Sequence, residues 1–258
     1  MDETQEKVIQ FFNKHGKWVF GFVALSIVIA AVYGLTSSYK SSKEYKAQEI
    51  FGPLERKYNE KRQDFLRANS QKNSKDTKKT PEELSKLPTP ASGELEKDYG
   101  NLVGDFEKVL QDHKGTQAAR MSALYLSEVY ADYKKTDEAI RALDSQIQPS
   151  GRGQGSLLGL LLQHRKAALV AEKGQCPEAR ALWDSLVEVS PDYLQNEMRL
   201  RIGQCFEQEG QIEKAKQIYR ELSQKSSDAQ AAVSRDAEKY LRYLNFASHV
   251  APVGKVTE

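Results

Sequence analysis

The stretch "ARMSALYLSEVYADYKKTDEAIRALDSQI" at residues 119–147 decides the fold of this chain. Apolar side chains recur in it every three or four residues, which is the period of a helix that buries one face. The segment "YKKTDEA" interrupts that period and leads through a Glu-Ala step into a second apolar series. The stretch is therefore predicted to form a helical hairpin.

Two more windows of the chain repeat this arrangement. Each of the three windows has a small residue in its first helix, at Ser127, Ala167 and Gly203. In its second helix a small residue precedes a bulky one by four positions: Ala139 and Leu143, Ala179 and Trp183, Ala215 and Tyr219. Small residues let paired helices approach closely, and bulky ones fill the remaining space. This order matches part of the tetratricopeptide repeat pattern, whose period is about 34 residues.

The predicted fold class is all-α, with an N-terminal transmembrane helix followed by a tetratricopeptide-like solenoid of α-hairpins at residues 94–250. Residues 231–250 supply a last helix that would cap the stack, because the ends of a solenoid must be covered. Residues 251–258 are read as a tail. A helical bundle without repeats is the alternative left open.

Residues 18–39 carry no charged side chain. As a helix they would extend about 33 Å, close to the roughly 30 Å hydrocarbon core of a bilayer, so a transmembrane helix is predicted. A buried core helix and a cleaved signal peptide are the competing interpretations, and the run is long for the second. Lysines flank the segment on both sides, so they do not fix its orientation.

Between this segment and the repeats lie a predicted helix and a predicted linker. Residues 40–66 have helical periodicity, and Gly52-Pro53 should kink or break that helix. We expect it to pair with the helix around residues 99–110 as a divergent first hairpin. Residues 67–93 contain few large apolar side chains and are predicted to be a flexible linker.

The sequence carries no catalytic motif. The four histidines are scattered, and "GRGQGS" lacks the Gly-Lys-Ser/Thr ending of a phosphate loop. We therefore expect no enzyme activity, cofactor or bound metal. The formal net charge of +2 gives no reason to expect a nucleic-acid partner. An enzyme with residues assembled across several repeats is the rival from another functional class.

Repeat solenoids bind partners on the concave face that their first helices line. In the register above, this candidate partner-binding face comprises Leu124, Glu128, Asp132, His164, Ala168, Glu172, Leu200, Gln204 and Gln208. Its mixed polar and apolar character suits extended or unfolded polypeptide segments better than one fixed anionic tail. A merely solvated polar face is the alternative.

Cys176 and Cys205 are the only two cysteines. An even count permits a disulfide in an oxidising compartment. In the repeat register the two residues lie on helices that should touch. Two free, buried thiols are the alternative.

The order of parts resembles the YfgM-like family of bacterial inner-membrane proteins. "EKVIQFFNKHGKWVFGFV" at residues 6–23 and the stretch at residues 119–147 carry the resemblance. It implies a cytoplasmic tail at residues 1–17, a single span at residues 18–39 and a repeat domain in the periplasm. It also implies a chaperone-like role as an ancillary factor of the Sec translocon, with translocon subunits, exported or unfolded polypeptides and periplasmic chaperones as partners.

The leading hypothesis is thus a membrane-anchored, non-enzymatic interaction module. An envelope scaffold for cell-division or wall-synthesis proteins is the alternative within the binding class. A reversed topology, with the repeats in the cytoplasm, also stays open.

Overall fold

The structure, a computed structural model, describes residues 3–73, 90–147, 156–224 and 231–250, without the side chains of residues 3–24, 27, 71–73 and 247–250. Every regular element in these ranges is an α-helix. The helices are α1 (Glu3–Asn73), α2 (Leu95–Tyr99), α3 (Leu102–Asp112), α4 (Gln117–Asp132), α5 (Thr136–Asp144), α6 (Leu157–Glu172), α7 (Cys176–Val187), α8 (Asp192–Gln208), α9 (Ile212–Ser223) and α10 (Ala231–Val250).

Three hairpins, α4–α5, α6–α7 and α8–α9, are closed by turns of the same geometry. Each turn has one residue with positive φ: Lys134 at 61°, Gly174 at 81° and Gly210 at 73°. The amide of the next residue then donates to a carbonyl five positions back, as Lys135 N does to Tyr130 O at 2.8 Å. Glycine adopts this left-handed conformation without strain. Lys134 shows that the repeat geometry imposes it on another residue as well.

The small and bulky residues of the sequence pattern form the centre of each hairpin. Ala139, Ala179 and Ala215 are fully buried, as are Leu143, Trp183 and Tyr219 at the paired bulky positions. A β-carbon added to Gly203 would lie 2.6 Å from the Tyr219 ring, so only glycine lets α8 and α9 approach this closely. The contacts place the three repeats where the pattern predicts them.

Helix α1 runs without interruption from Glu3 to Asn73 and passes through Pro53. The predicted break at Gly52-Pro53 is therefore wrong. Proline removes one helical hydrogen bond and costs about 3 kcal/mol inside a helix. Phe51, Leu54 and Tyr58 are buried around it and offset that cost.

The end of α1 corrects a second expectation. Residues 67–73 continue the helix, whereas the sequence assigned them to the flexible linker of residues 67–93. Ala68 is buried, and Phe65 packs edge-on against Tyr99, so the helix still contacts the stack here. Residues 74–89 of the predicted linker and the predicted tail at residues 251–258 lie outside the described residues.

Part of the predicted transmembrane helix at residues 18–39 also lies outside the description, namely the side chains of residues 18–24 and 27. In the part of the chain that is described, no helix has the length and apolar character needed to cross a membrane.

The docked part of α1 runs antiparallel to α3 and parallel to α4. Lys43 Nζ donates to Lys114 O at one end of α3, and Lys61 Nζ donates to Asp98 O beyond the other end. Along α4, Glu44 accepts from the Gln117 amide near one end. Further along, Glu55 and Glu128 form the bonds described below. Helix α1 therefore occupies the place of the first helix of a hairpin.

Candidate protein-binding face

The first helices of the four hairpins are α1, α4, α6 and α8, hereafter the A helices; α3, α5, α7 and α9 are the B helices. Lys173 pairs with Asp137 and Lys166 with Asp144, each with 2.7 Å between nitrogen and oxygen, so α6 is antiparallel to α5. Helix α6 is therefore parallel to α4. The A helices lie side by side, and their shared outer surface is the A-helix face.

In α4, the predicted face residues are already engaged by α1. Glu128 Oε2 accepts hydrogen bonds from Tyr58 Oη and from Arg62 Nη1, each 2.6 Å long. Leu124 is half-buried and packs against the core of the first two hairpins. Asp132, at the end of the helix, is exposed. Asp132 is thus the one residue of the three that is exposed as a whole, and the Glu128 side chain is paired although it is 42% exposed.

In α6, His164 turns toward its own hairpin. Its Nδ1 accepts a hydrogen bond from the Trp183 indole Nε1 at 3.0 Å. Burial lowers the pKa of His164, although the charge of Glu197 acts in the opposite direction. Ala168 is half-buried in the core around Trp183, and Glu172 is exposed, 3.8 Å from Arg165. His164 is therefore a neutral acceptor inside the hairpin.

In α8, Leu200 is buried in the core that α8, α9 and α10 share. Gln204 is half-buried, and its Oε1 accepts a hydrogen bond from Arg201 Nη1 at 3.2 Å. Gln208 is exposed at the end of the helix. The exposed members of the predicted set are therefore the last residues of their helices: Asp132, Glu172 and Gln208.

A second row of A-helix residues was not in the predicted set. Tyr125, Arg165 and Arg201 stand two positions before the small residues of the pattern. Tyr125 Oη donates to Glu55 Oε1 of α1 at 2.7 Å, and Arg201 pairs with Glu197. The Nε of Arg165 is buried with no hydrogen-bond partner among the described residues. Each of these residues directly follows a predicted face residue, so the repeat register moved by one position would have identified the row.

Aromatic rings and carboxylates link α1 to the stack. The rings of Tyr58 and Tyr125 have centroids 4.6 Å apart, and Tyr58 also contacts Tyr99 and Phe106. Burial raises the pKa of Tyr99 to about 12, and burial beside Glu128 raises that of Tyr58 further. Both hydroxyls therefore stay protonated at neutral pH, and Tyr58 keeps its donor for Glu128.

The charges on the A-helix face are of both signs and mostly paired. In the described part of the chain, no group of three His, Cys, Asp or Glu side chains could hold a metal ion. A cavity of about 380 Å³ lies on the opposite surface, between α3 and α5, with Glu107, Lys114, Glu138 and Arg141 at its walls. The exposed residues described above on the A-helix face, Asp132, Glu172, Arg201 and Gln208, are therefore polar or charged.

The two cysteines lie where α7 begins and α8 ends. Cys176 and Cys205 are both buried and are joined by a disulfide, with their Cα atoms 5.3 Å apart. Arg180 of α7 donates to Glu209 directly after α8 and stacks on Phe206. This group ties the third hairpin to the fourth.

Parallel A helices, a shared outer face and a repeated hairpin turn define a helical-repeat protein. The chain belongs to the tetratricopeptide repeat-like domain family, whose sequence profile matches residues 9–187. A second profile, the tetratricopeptide repeat, matches residues 197–229. Repeat domains of this kind bind other proteins, so the chain is a protein-interaction module, and neither profile describes a catalytic family. The narrower resemblance to the YfgM-like family stays a prediction.

No curated protein matches the chain. Among solved structures it is similar to a protein of Podosopora anserina described as a candidate kinesin light chain with nearly identical TPR-like repeats. The two share 14% identity with a TM-score of 0.45, and the match covers 60% of this chain and 90% of the other.

Proposed function

We propose that this protein is a membrane-anchored interaction module that assists exported polypeptides at the Sec translocon, as a chaperone-like ancillary factor. The observation that carries the anchor is the continuity of α1, which joins the uncharged stretch of residues 18–39 directly to the repeat stack. One helix thus provides both an apolar segment and the first element of the binding domain.

The described part of that segment supports the anchor. Its large apolar side chains are all at least half exposed: Leu25, Val28, Ile29, Val32 and Leu35. An exposed apolar surface of this extent marks a site that contacts a membrane or another protein. Tyr33 and Tyr39 near its end have the amphipathic rings that favour a bilayer interface.

The disulfide supports a location for the repeats outside the cytoplasm. Disulfides persist in oxidising compartments such as the periplasm and are rare in the cytosol. A bridge between Cys176 and Cys205 therefore favours a periplasmic repeat domain on a single-pass inner-membrane protein. The reversed topology would place this bridge in a reducing compartment.

The A-helix face supports polypeptide segments as the partner class. Exposed charges of both signs lie on it, among them Asp132, Glu172 and Arg201, so it suits variable, extended chains more than one charged tail. Anchoring would raise the effective concentration of such a weak site beside the membrane. The translocon itself enters through the family resemblance.

The anchor is tested by deleting residues 18–39. We expect the deleted protein to be released by carbonate washing and to lose co-purification with the translocon. A matched control replaces residues 18–39 with an unrelated apolar span and should restore membrane association. Undiminished co-purification of the deleted protein would contradict the proposal.

The face is tested by photo-crosslinking in native membranes. A photoreactive residue at Asp132 or Gln208 should crosslink to exported polypeptides or translocon subunits. The same group at the exposed Lys108 of α3 is the control and should not. Equal crosslinking from Lys108 would contradict the face, and products from cell-division or wall-synthesis proteins would favour the envelope scaffold instead.

A further inference from the structure

We propose that one edge of the repeat stack lies on the lipid headgroups of the membrane that residues 18–39 enter. This proximal edge comprises the α3–α4 turn with His113 and Lys114, Leu157 at the start of α6, and Val189 and Tyr193 around the α7–α8 turn. The inference rests on the proposed anchor and adds the orientation of the repeat domain to it.

The first argument is the height of the stack above the membrane. The repeat domain contacts α1 from Lys43 onward, where Lys43 Nζ donates to Lys114 O at 2.9 Å. Glu44 then caps α4 by accepting from the Gln117 amide at 2.8 Å. With a rise of about 1.5 Å per residue, Lys43 lies about 6 Å beyond Tyr39, the last residue of the predicted span. The headgroup layer is about 5–8 Å thick on each side, so the α3–α4 turn reaches its outer boundary.

The second argument is the direction of the helices. Helices α4 and α6 run parallel to α1, as the contacts above show. The start of α7 is bridged to the end of α8, so α8 is antiparallel to α7 and runs the same way. The N-terminal ends of α4, α6 and α8 therefore point toward the N-terminus of α1. Under the proposed anchor, that is the membrane side.

The third argument is the chemistry of this edge. Val189 is 61% exposed, Leu157 48% and Tyr193 47%. Lys43 and Lys114 lie on the same edge, at the α3–α4 turn, and can reach lipid phosphates. At the opposite, distal edge, the described turns at residues 133–135, 173–175 and 209–211 have no large exposed apolar side chain. The exposed apolar side chains toward that end, Leu66, Tyr243 and Phe246, belong to the terminal helices α1 and α10. Tyrosine and apolar side chains next to lysine are typical of a bilayer interface.

The short distance between the stack and the membrane also indicates that lipid headgroups, and not another protein, contact the proximal edge. A helix with its side chains is about 10 Å across. The gap between the α3–α4 turn and the headgroups is smaller than that, so no folded protein segment fits between them. The A-helix face would then stand sideways to the membrane, with the distal edge in water.

The experiment uses full-length protein in phosphatidylcholine–phosphatidylglycerol vesicles that contain a headgroup-spin-labelled lipid. An environment-sensitive fluorophore is attached to Lys114→Cys or Val189→Cys on the proximal edge, and to Lys135→Cys on the distal edge as the matched control. The native cysteines are buried and bridged, so the unsubstituted chain serves as the labelling blank.

We expect quenching at positions 114 and 189 to be at least about threefold stronger than at position 135, since the 16 residues of α4 separate the edges by about 24 Å. Flotation of the vesicles is measured on the same samples. Flotation with equal quenching at all three positions overturns the lipid contact and leaves the anchor standing. Failure to float overturns the anchor, and this inference with it.

Discussion

At the scale of single residues, Gly203 shows how the repeat is built. It stands in the interior of α8, where glycine costs about 1 kcal/mol relative to alanine. The Tyr219 ring takes the space that a side chain would fill, and that ring is fully buried. Close approach of α8 and α9 thus outweighs helix propensity at this position.

We predict that Gly203→Ala destabilises the protein by about 1–3 kcal/mol, because the new methyl group would overpack a rigid core. Gly104→Ala in α3 is the matched control, since a β-carbon there meets nothing within 4 Å. Gly104→Ala changes only the helix propensity, so it should leave the free energy of unfolding unchanged or raise it by up to about 1 kcal/mol. Urea unfolding measures both, and equal effects would contradict the packing argument.

His164 makes stability depend on pH. Burial lowers its pKa from the ordinary value of 6.5, so the unfolded chain takes up a proton at a higher pH than the folded chain. The stabilisation from this group is complete above about pH 6.5 and is lost as the pH falls through the folded pKa.

We predict that His164→Gln shows a smaller loss of unfolding free energy than the natural chain between about pH 7 and about pH 5. Glutamine does not titrate, and its amide oxygen can still accept from Trp183. Urea unfolding curves at both pH values measure the loss. If the variant loses as much unfolding free energy as the natural chain, other titrating groups cause the pH dependence and the prediction is wrong.

At the scale of elements, the connections between hairpins differ along the chain. The first two A helices are held by Tyr58 and Tyr125 with their carboxylate acceptors, whereas α7 and α8 are held by the disulfide and the Arg180–Glu209 pair. Each device stabilises one interface between neighbours, as expected in a solenoid whose repeats contact only adjacent repeats.

We predict that the Cys176→Ser and Cys205→Ser double variant loses about 3–4 kcal/mol of stability, the chain-entropy value for a loop of this size. The residues are 29 positions apart in sequence. Thermal unfolding measures the loss, and thiol titration of the denatured natural chain without reductant provides the control. Two reactive thiols in that titration would contradict the bridge.

At the scale of the whole molecule, α10 closes the stack. Ala237 and Leu244 are buried against the last hairpin, and the Tyr240 ring stacks on Tyr219 with centroids 5.4 Å apart. Without this helix the outer surface of α9 would be exposed to water. A solenoid end therefore needs a helix with one apolar face and one polar face.

We predict that Leu244→Ala costs about 2–4 kcal/mol, because a buried side chain leaves a cavity. Phe246→Ser on the outer side of the same helix is the control, since Phe246 is 69% exposed and Leu244 only 5%. It should change stability by less than about 0.5 kcal/mol. Hydrogen exchange should show the loss confined to α9 and α10, and uniform loss along the stack would contradict nearest-neighbour coupling.

The sequence by itself determined the repeat. The fixed spacing of small and bulky residues predicts which positions meet inside a hairpin. Those contacts join residues that are close together in the sequence. For the same reason it predicted the three hairpins and the last helix. It was wrong about a break at Pro53 and about residues 67–73, because there the helix packs against α2, α3 and α4, which lie far away in sequence.

Only the tertiary structure decided which side chains of the A-helix face are free. Glu128 is taken by α1, His164 by Trp183 and Leu200 by the core of the last hairpin, and none of these partners is fixed by the repeat spacing. The register places a residue on a helix face to within about one position. Whether that residue meets a neighbour or water depends on how closely adjacent helices pack, which a single sequence does not encode locally.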